Sequence, residues 1–291
     1  AAGQTDVFKA EGELENGNKA ELTTWTLAVE DQFWITDALS VAAGLIFNVF
    51  DQTRLDQSSN ALSPQVAIAW QATGETVVHA SAAQRTRFPK LRELYRRKYG
   101  NPDLDEQSAD NFELGLTHEH SSGYSSDISV FYSEVDGLIE RPDRDSTYEN
   151  LPPVTIQGVE LSTGGWALDD LYTRLSYTYV KAEEDLPGGG ERQLRSRPTH
   201  TAQVELRYRL PWKFAASFDG IYVDKLYDLD DDEVYTELDS YFILQMKVSK
   251  VFSDQFAGYV SVSNLTDDDY QQRLGDPRPG RAVRIGLSFA L

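Results

Sequence analysis

The chain has 291 residues, 40% of them hydrophobic and 11% aromatic, a composition that folds, and the length suits one large all-β domain without requiring two. Its 47 acidic against 27 basic residues give a formal charge of -20, which excludes nucleic acid as a natural partner, and the absence of cysteine removes disulfides, thiolate metal sites and cysteine nucleophiles. The longest largely apolar run, Ala38 to Phe50, is too short for a membrane helix, and the residues from Ala1 to Asp6 carry neither the basic start nor the apolar stretch of a signal peptide. Export is therefore expected to depend on residues already removed; otherwise the chain is cytosolic.

Apolar and polar residues alternate along most of the chain, the period of strands with one face in an apolar medium, and helical periodicity is almost absent. A faint strand is predicted at Asp6 to Ala10. Clearer ones follow at Trp25, Leu27 and Val29; at odd positions from Val41 to Val49; at Val66, Ile68 and Trp70; and at Val78 with Ala80. The series continues with Phe112 to Leu116, Ile128 to Tyr132, Val159 with Leu161, and Leu171 to Tyr179. Ala202 to Leu210, Phe214 to Tyr222, Leu238 to Val248, Phe256 to Val262 and Val283 to Leu291 complete thirteen strands beside the faint one.

Short and long connections alternate between these strands. Short ones fall near 34–38, 71–75, 120–124, 164–169, 210–212 and 252–255, and long ones near 11–20, 51–63, 85–108, 140–152, 183–198, 227–236 and 267–279. A transmembrane barrel has tight turns at one end and long loops at the other, whereas a soluble sandwich has no reason to keep that order. The expected fold is an all-β, transmembrane, antiparallel up-and-down β-barrel with about fourteen strands in this chain. Arg174, Ser176 and Thr178, or Gln203, Glu205 and Arg207, suit its watery side. Tyr208, Trp212, Tyr241, Phe252 and Tyr259 suit interfacial girdles.

Four ordered elements carry a resemblance to a known family. They are Arg87-Phe88-Pro89 with Leu91, then Leu94-Tyr95, then Gly100-Asn101-Pro102-Asp103-Leu104, then Ser108 to Leu116 reading SADNFELGL. Thr155 to Leu161 (TIQGVEL), Ser263-Asn264-Leu265-Thr266 with Asp269-Tyr270, and Pro277 to Gly286 (PRPGRAVRIG) follow in the same order. Together they resemble the C-terminal part of the barrel of TonB-dependent outer-membrane receptors. The terminal Leu291 stands where that family usually ends on an aromatic residue. Read without the family, Pro89 and Pro102 hold the residues before them extended, and Asn264 and Asp267 can bond the backbone where a ladder ends.

The resemblance implies uptake of a scarce ligand, most often a ferric siderophore, with partners in the TonB complex, lipopolysaccharide and outer-membrane lipid, and it implies no cofactor. Residues 1–291 are expected to form a single β-barrel domain without the plug through which TonB acts. A complete 22-strand barrel at about 10 residues per strand would use roughly 220 residues and leave too few for the loops. The chain is thus part of a larger barrel or a smaller closed one. A passive porin-like pore of about 14 strands and a soluble acidic β-rich binding protein are the alternatives.

The candidate ligand-binding residues lie in one basic segment: Arg85, Arg87, Arg92, Tyr95, Arg96, Arg97, Lys98 and Tyr99, opposed only by Glu93. Guanidinium groups bind carboxylate and phosphate oxygens bidentately, and the tyrosines add stacking surface, so an anionic small molecule is the expected ligand. The acidic run Asp228, Asp230, Asp231, Asp232 and Glu233 reads as an exposed charged loop, since its spacing fits no EF-hand. His79, His118, His120 and His200 are scattered, and Pro89 to Gly100 lacks the histidine that related haem receptors carry, so neither a metal site nor haem is expected. No nucleophile elbow or phosphate loop appears, so no catalytic residue is assigned.

Overall fold

The computed structural model describes residues 2–13, 19–52, 57–143, 145–186, 188–230 and 234–290. The chain opens with β1 (Ala2–Glu13), β2 (Lys19–Thr36), β3 (Leu39–Gln52), β4 (Gln57–Gln71) and β5 (Thr76–Arg87), followed by the short helix α1 (Leu91–Tyr95). Then come β6 (Gln107–Glu119), β7 (Tyr124–Asp136), β8 (Ile139–Glu140), β9 (Glu149–Asn150), β10 (Val154–Leu168), β11 (Leu171–Asp185) and β12 (Glu191–Gln193). The last are β13 (His200–Leu210), β14 (Phe214–Asp224), β15 (Leu226–Leu229), β16 (Tyr235–Leu238), β17 (Tyr241–Ser253), β18 (Phe256–Ser263) and β19 (Ala282–Phe289).

Fourteen of these strands follow one another in chain order through a single antiparallel sheet, β1 to β7, then β10, β11, β13, β14 and β17 to β19. The faint strand at Asp6 to Ala10 is a full member, paired to β2 with Val7 opposite Trp25. β8 with β9, and β15 with β16, form separate two-stranded hairpins inside long connections.

Three expectations are corrected. The long connection foreseen at 51–63 is mostly strand, because β3 and β4 stay paired out to Gln52 opposite Gln57. Asp51, Gln52, Ser58, Ser59 and Asn60 are polar at successive positions, which breaks the alternation and looks like loop. The turn foreseen at 164–169 shrinks to residues 169–170, since Gly164 and Gly165 lie within β10. A Cβ on Gly165 would sit 2.6 Å from the Gly123 carbonyl oxygen, so the glycine marks close backbone approach inside the ladder rather than a bend. Leu238 belongs to β16, and β17 starts only at Tyr241.

The chain divides into two compact units, one of residues 1–115, 130–157 and 182–193, the other of 116–129, 158–181 and 194–291. In the first, Trp25, Leu27, Val29 and Phe33 of β2 are exposed along one face, beside Leu45 and Phe47 of β3 and Val66, Ile68 and Trp70 of β4. At about 3.3 Å per residue the eight steps from Trp25 to Phe33 span roughly 26 Å, the height of the apolar band on a transmembrane barrel. The opposite face is polar and cross-linked: Thr26 donates to Asn48 at 2.7 Å, and Gln65 donates to Glu30 at 2.9 Å. Gly44 lies between Glu30 and Gln65 in register, and a Cβ there would meet the Gln65 amide nitrogen at 2.7 Å, so glycine opens the path for that bond. In the second unit, Leu175 of β11, Val260 of β18 and Val283, Ile285, Leu287 and Phe289 of β19 are exposed in the same way.

Candidate functional site

The basic segment does not hang free as a loop. After β5 ends, Phe88 lays its ring parallel to Phe50 with centroids 4.8 Å apart, and α1 drops onto the sheet. Leu94 is 1% exposed and packs with Leu22 and Phe50, surrounded by Leu91, Tyr95 and Leu104. Leu22 and Phe50 lie on the polar side of β2 and β3, opposite Trp25 and Leu27, so the segment folds over that side. Three of the resemblance elements, the Phe-Pro turn, the Leu-Tyr pair and the Asn-Pro-x-Leu stretch, thus form one apolar anchor.

Polar contacts fix the same anchor. The Glu93 carboxylate, 3% exposed, accepts from the Lys90 backbone at 2.9 Å and from the Arg87 guanidinium at 2.8 Å. Arg87 also donates to the Gln107 side chain at 3.3 Å, and the Tyr95 hydroxyl accepts from the Gln52 amide at 2.6 Å. Gly100 closes the turn: a Cβ there would stand 2.5 Å from the Arg96 nitrogen. Of the candidate residues, Arg87 and Tyr95 are therefore engaged in holding the segment. Arg85, at the end of β5, is exposed.

Arg92, Arg96, Arg97 and Lys98 are exposed, and Tyr99 is half-buried beside them. Three cations lie over the Tyr99 ring: Arg96 at 5.3 Å, Lys98 at 5.0 Å and Arg141 at 4.2 Å from its centroid. Lys98 donates to Asp145 at 2.6 Å, and that bond, with a smaller contribution from Tyr99, raises its pKa above the ordinary lysine value. The two loops are clipped together, since the Tyr148 nitrogen donates to the Tyr99 carbonyl at 2.8 Å and the Asn101 amide donates to the Tyr148 carbonyl at 2.9 Å. Arg141 also faces the Tyr148 ring at 6.0 Å. Arg141, Asp145 and Tyr148 escape the sequence reading because they lie more than forty positions from Tyr99 in chain order.

A second built element lies after β18. Asn264, 3% exposed, accepts the Asp268 backbone N–H at 3.0 Å and donates to the Asp268 carbonyl at 2.9 Å. Asp267 accepts the Arg281 N–H at 2.8 Å, and Asp268 accepts the Phe242 N–H at 3.0 Å. Asn264 and Asp267 both have left-handed backbones, with φ of 49° and 59°. The Asn-Leu-Thr-Asp motif is thus a knot that closes the ladder end, as its residue types suggested.

Residues 2–265 match the family described as TonB dependent receptor-like, beta-barrel. The chain belongs to that family. It is 29% identical over 280 residues to the vitamin B12 transporter BtuB of Photobacterium profundum, covering 91% of this chain and 45% of the relative. It is 25% identical to BtuB of Vibrio cholerae serotype O1, covering 96% of this chain and 43% of the relative. The solved structure of the siderophore receptor PirA from Acinetobacter baumannii superposes with a TM-score of 0.75 at 19% identity, covering 95% of this chain and 47% of that one, a likeness of fold. The chain spans less than half the length of the curated relatives it matches. TonB-dependent receptors of this family are outer-membrane β-barrels, not enzymes, and the fourteen-strand antiparallel sheet found in this chain is consistent with part of such a barrel.

The remaining candidates of this TonB-dependent receptor chain have local roles. Asp228 is buried and accepts the Leu229 and Leu274 N–H groups at 2.9 Å each, and Asp230 accepts that of Val234 at 2.8 Å. Asp231, Asp232 and Glu233 lie outside the described residues, as does Leu291. The His118 and His120 rings meet edge to face at 4.6 Å, His79 lies 3.2 Å from Glu113, and His200 is 2.8 Å from the Tyr177 hydroxyl. No group of three potential metal ligands occurs among the described residues. On the polar side of the second unit, Arg207 pairs with Asp219 at 2.9 Å and Glu205 at 3.2 Å beside a cleft of about 770 Å³.

Proposed function

We propose that residues 1–291 act as a single β-barrel domain in the outer membrane, part of a receptor that captures a scarce anionic ligand for TonB-driven uptake, with a ferric siderophore as the ligand class. The observation that carries this reading is the Tyr99 ring surrounded by Arg96, Lys98 and Arg141 on a segment anchored by Leu94. Guanidinium and ammonium donors around an aromatic face suit a ligand with several anionic oxygens and a planar surface. Arg92, Arg96, Arg97, Lys98 and Tyr99 form the capture surface, and Arg141 joins them. Arg85 supplies further positive charge on the way in, while Arg87 and Tyr95 position the segment. Lipopolysaccharide phosphates are a second partner for the exposed arginines, and coupling to TonB is made elsewhere in the receptor.

The match to the receptor family speaks against a passive pore, and a soluble binding protein gives no reason for the exposed apolar band. A corrinoid ligand is the second reading, favoured by the vitamin B12 transporters among the relatives. Both ligands can be offered to the detergent-solubilised receptor and binding followed by intrinsic fluorescence. For the triple variant R96Q/K98Q/R141Q, affinity for a ferric catecholate chelate is expected to fall by about tenfold or more. Unchanged affinity abandons the anionic site, and tight cyanocobalamin binding without chelate binding selects the second reading.

A further inference from the structure

The connection between β13 and β14 contains an unexplained strain. The Phe214 N–H donates to the Pro211 carbonyl at 3.4 Å, and the two residues between, Trp212 and Lys213, both have left-handed backbones with φ of 58° and 60°. This is the type I′ pattern, whose two central positions normally go to Asn and Gly because a Cβ is disfavoured there. The Val251 N–H donates to the Lys213 carbonyl at 3.1 Å and ties the turn to β17, but the Trp212 side chain itself is 83% exposed. A bulky indole held out from the chain at a position that disfavours a Cβ points to a role outside it.

Next to this turn, on the apolar side, Lys250 is in register with Phe214. Its ammonium group lies 4.4 Å from the Phe214 ring centroid and 5.4 Å from that of Phe252. Phe252 in turn stacks on Phe256 at 5.0 Å. No carboxylate comes within ion-pair distance of Lys250 among the described residues; Asp254 lies 3.9 Å from Lys213 instead. A lysine among phenylalanines on the apolar face, at the edge of the band, extends its charged end toward whatever lies beyond that edge. No described carboxylate supplies a counter-charge for Lys250, and an exposed tryptophan in the adjoining turn suits an interface that is wet at one end and greasy at the other.

We propose that Trp212, Lys250 and the Phe214–Phe252 pair form a binding site for the phosphate headgroup of an anionic phospholipid at the short-turn edge of the apolar band. The site rests on the membrane placement proposed above. The lysine supplies charge to the phosphate, the phenylalanine rings meet the upper acyl carbons, and the indole lies at the headgroup level beside them.

The test uses the full chain in lipid nanodiscs made with brominated phosphatidylglycerol or brominated phosphatidylcholine, reading tryptophan quenching in wild type, K250Q, K250R and W212G. Wild type is expected to show extra quenching by phosphatidylglycerol that W212G loses, that K250Q reduces by about threefold or more, and that K250R retains. W212G keeps the turn, since glycine suits its backbone, and its fold is checked by its thermal transition, expected at or above that of wild type. Equal quenching by the two lipids in wild type overturns the site, as does a K250Q variant identical to wild type. Inorganic phosphate abolishing the preference would make the ligand a free anion and overturn it too. Failure of the chain to enter nanodiscs at all strikes the membrane reading instead, so the two failures are told apart.

Discussion

The Arg87 guanidinium donates to the Glu93 carboxylate across 2.8 Å, and this pair joins the last residue of β5 to the helix that covers the polar side of the sheet. Glu93 is nearly buried while the Arg87 side chain is 32% exposed, so removing the arginine strands a buried carboxylate with only the Lys90 N–H to satisfy it. Loss of one partner of a fully buried pair costs about 3–5 kcal/mol, and partial solvent access reduces this to roughly 2 kcal/mol for Arg87→Gln. The expected result is faster tryptic cleavage at Arg92, Arg96 and Arg97 in the folded protein. Cleavage at the wild-type rate would show that the pair does not hold the segment.

Leu94→Ala tests the apolar half of the same anchor. The side chain is among the most buried in the described chain, and its removal leaves a hole between Leu22, Phe50 and Leu104. A loss of about 2–5 kcal/mol is expected from lost burial and the residual cavity. It is measured as protection of the amides from Leu91 to Asn101 against hydrogen exchange, compared with β17 in the same sample. Equal protection in variant and wild type would mean that the segment is held by polar contacts alone.

Asn264→Ala removes both sides of the knot that closes β17 and β18, including the bond from the Asp268 N–H and the donation to its carbonyl. It also leaves a left-handed backbone without the side chain that tolerates it. Each buried group left unsatisfied costs about 1–3 kcal/mol, so the variant is expected to unfold at clearly lower denaturant. Asn264→Gly, which relieves the backbone but loses the same bonds, recovers only part of the loss. Full recovery by glycine would reduce the role of Asn264 to backbone conformation.

The β15–β16 hairpin carries a pH response. The Tyr227 hydroxyl donates to Glu237 at 2.9 Å, and this bond, with burial and the charges of Glu237 and Asp224 adding, raises the Tyr227 pKa above the ordinary 10.0. A raised value means that the protonated phenol is favoured when folded. The stabilisation is fully present below about pH 10 and is lost as pH climbs through the higher folded value. Subtracting the near-ultraviolet titration of Tyr227→Phe from that of wild type isolates this phenol, whose midpoint is expected above 10.0 and nearer to it in Glu237→Gln. A midpoint at or below the ordinary value in wild type contradicts the bond.

Much of the sheet was legible because strand faces are set by a period of two that needs no knowledge of neighbours. Val283, Ile285, Leu287 and Phe289 read as one face from the chain alone, and all four are exposed on one face. α1 was not legible: five residues are too few for a helical period, and its stability comes from Leu94 meeting Leu22 and Phe50, which no local pattern announces. The extension of β3 and β4 past Gln52 was missed because polar residues at successive positions break the alternation. The candidate site was half legible. The density of basic residues from Arg85 to Lys98 was plain, but the split between Arg87 and Tyr95 as anchors and Arg96 and Lys98 as an exposed surface depends on contacts with Glu93 and Gln52.

Alone, the sequence determined which residues of most strands face which way, the order of most tight turns and long loops, and that the basic charge gathers in one segment. These follow from alternation, turn residues and composition, all of which act over a few positions. Tertiary structure decided that this segment lies down on the polar side, that Arg141 completes the cationic ring around Tyr99, and that Trp212 stands in a strained turn beside Lys250. Those relations join residues that only strand pairing and long-range packing bring together, and no local rule carries that information.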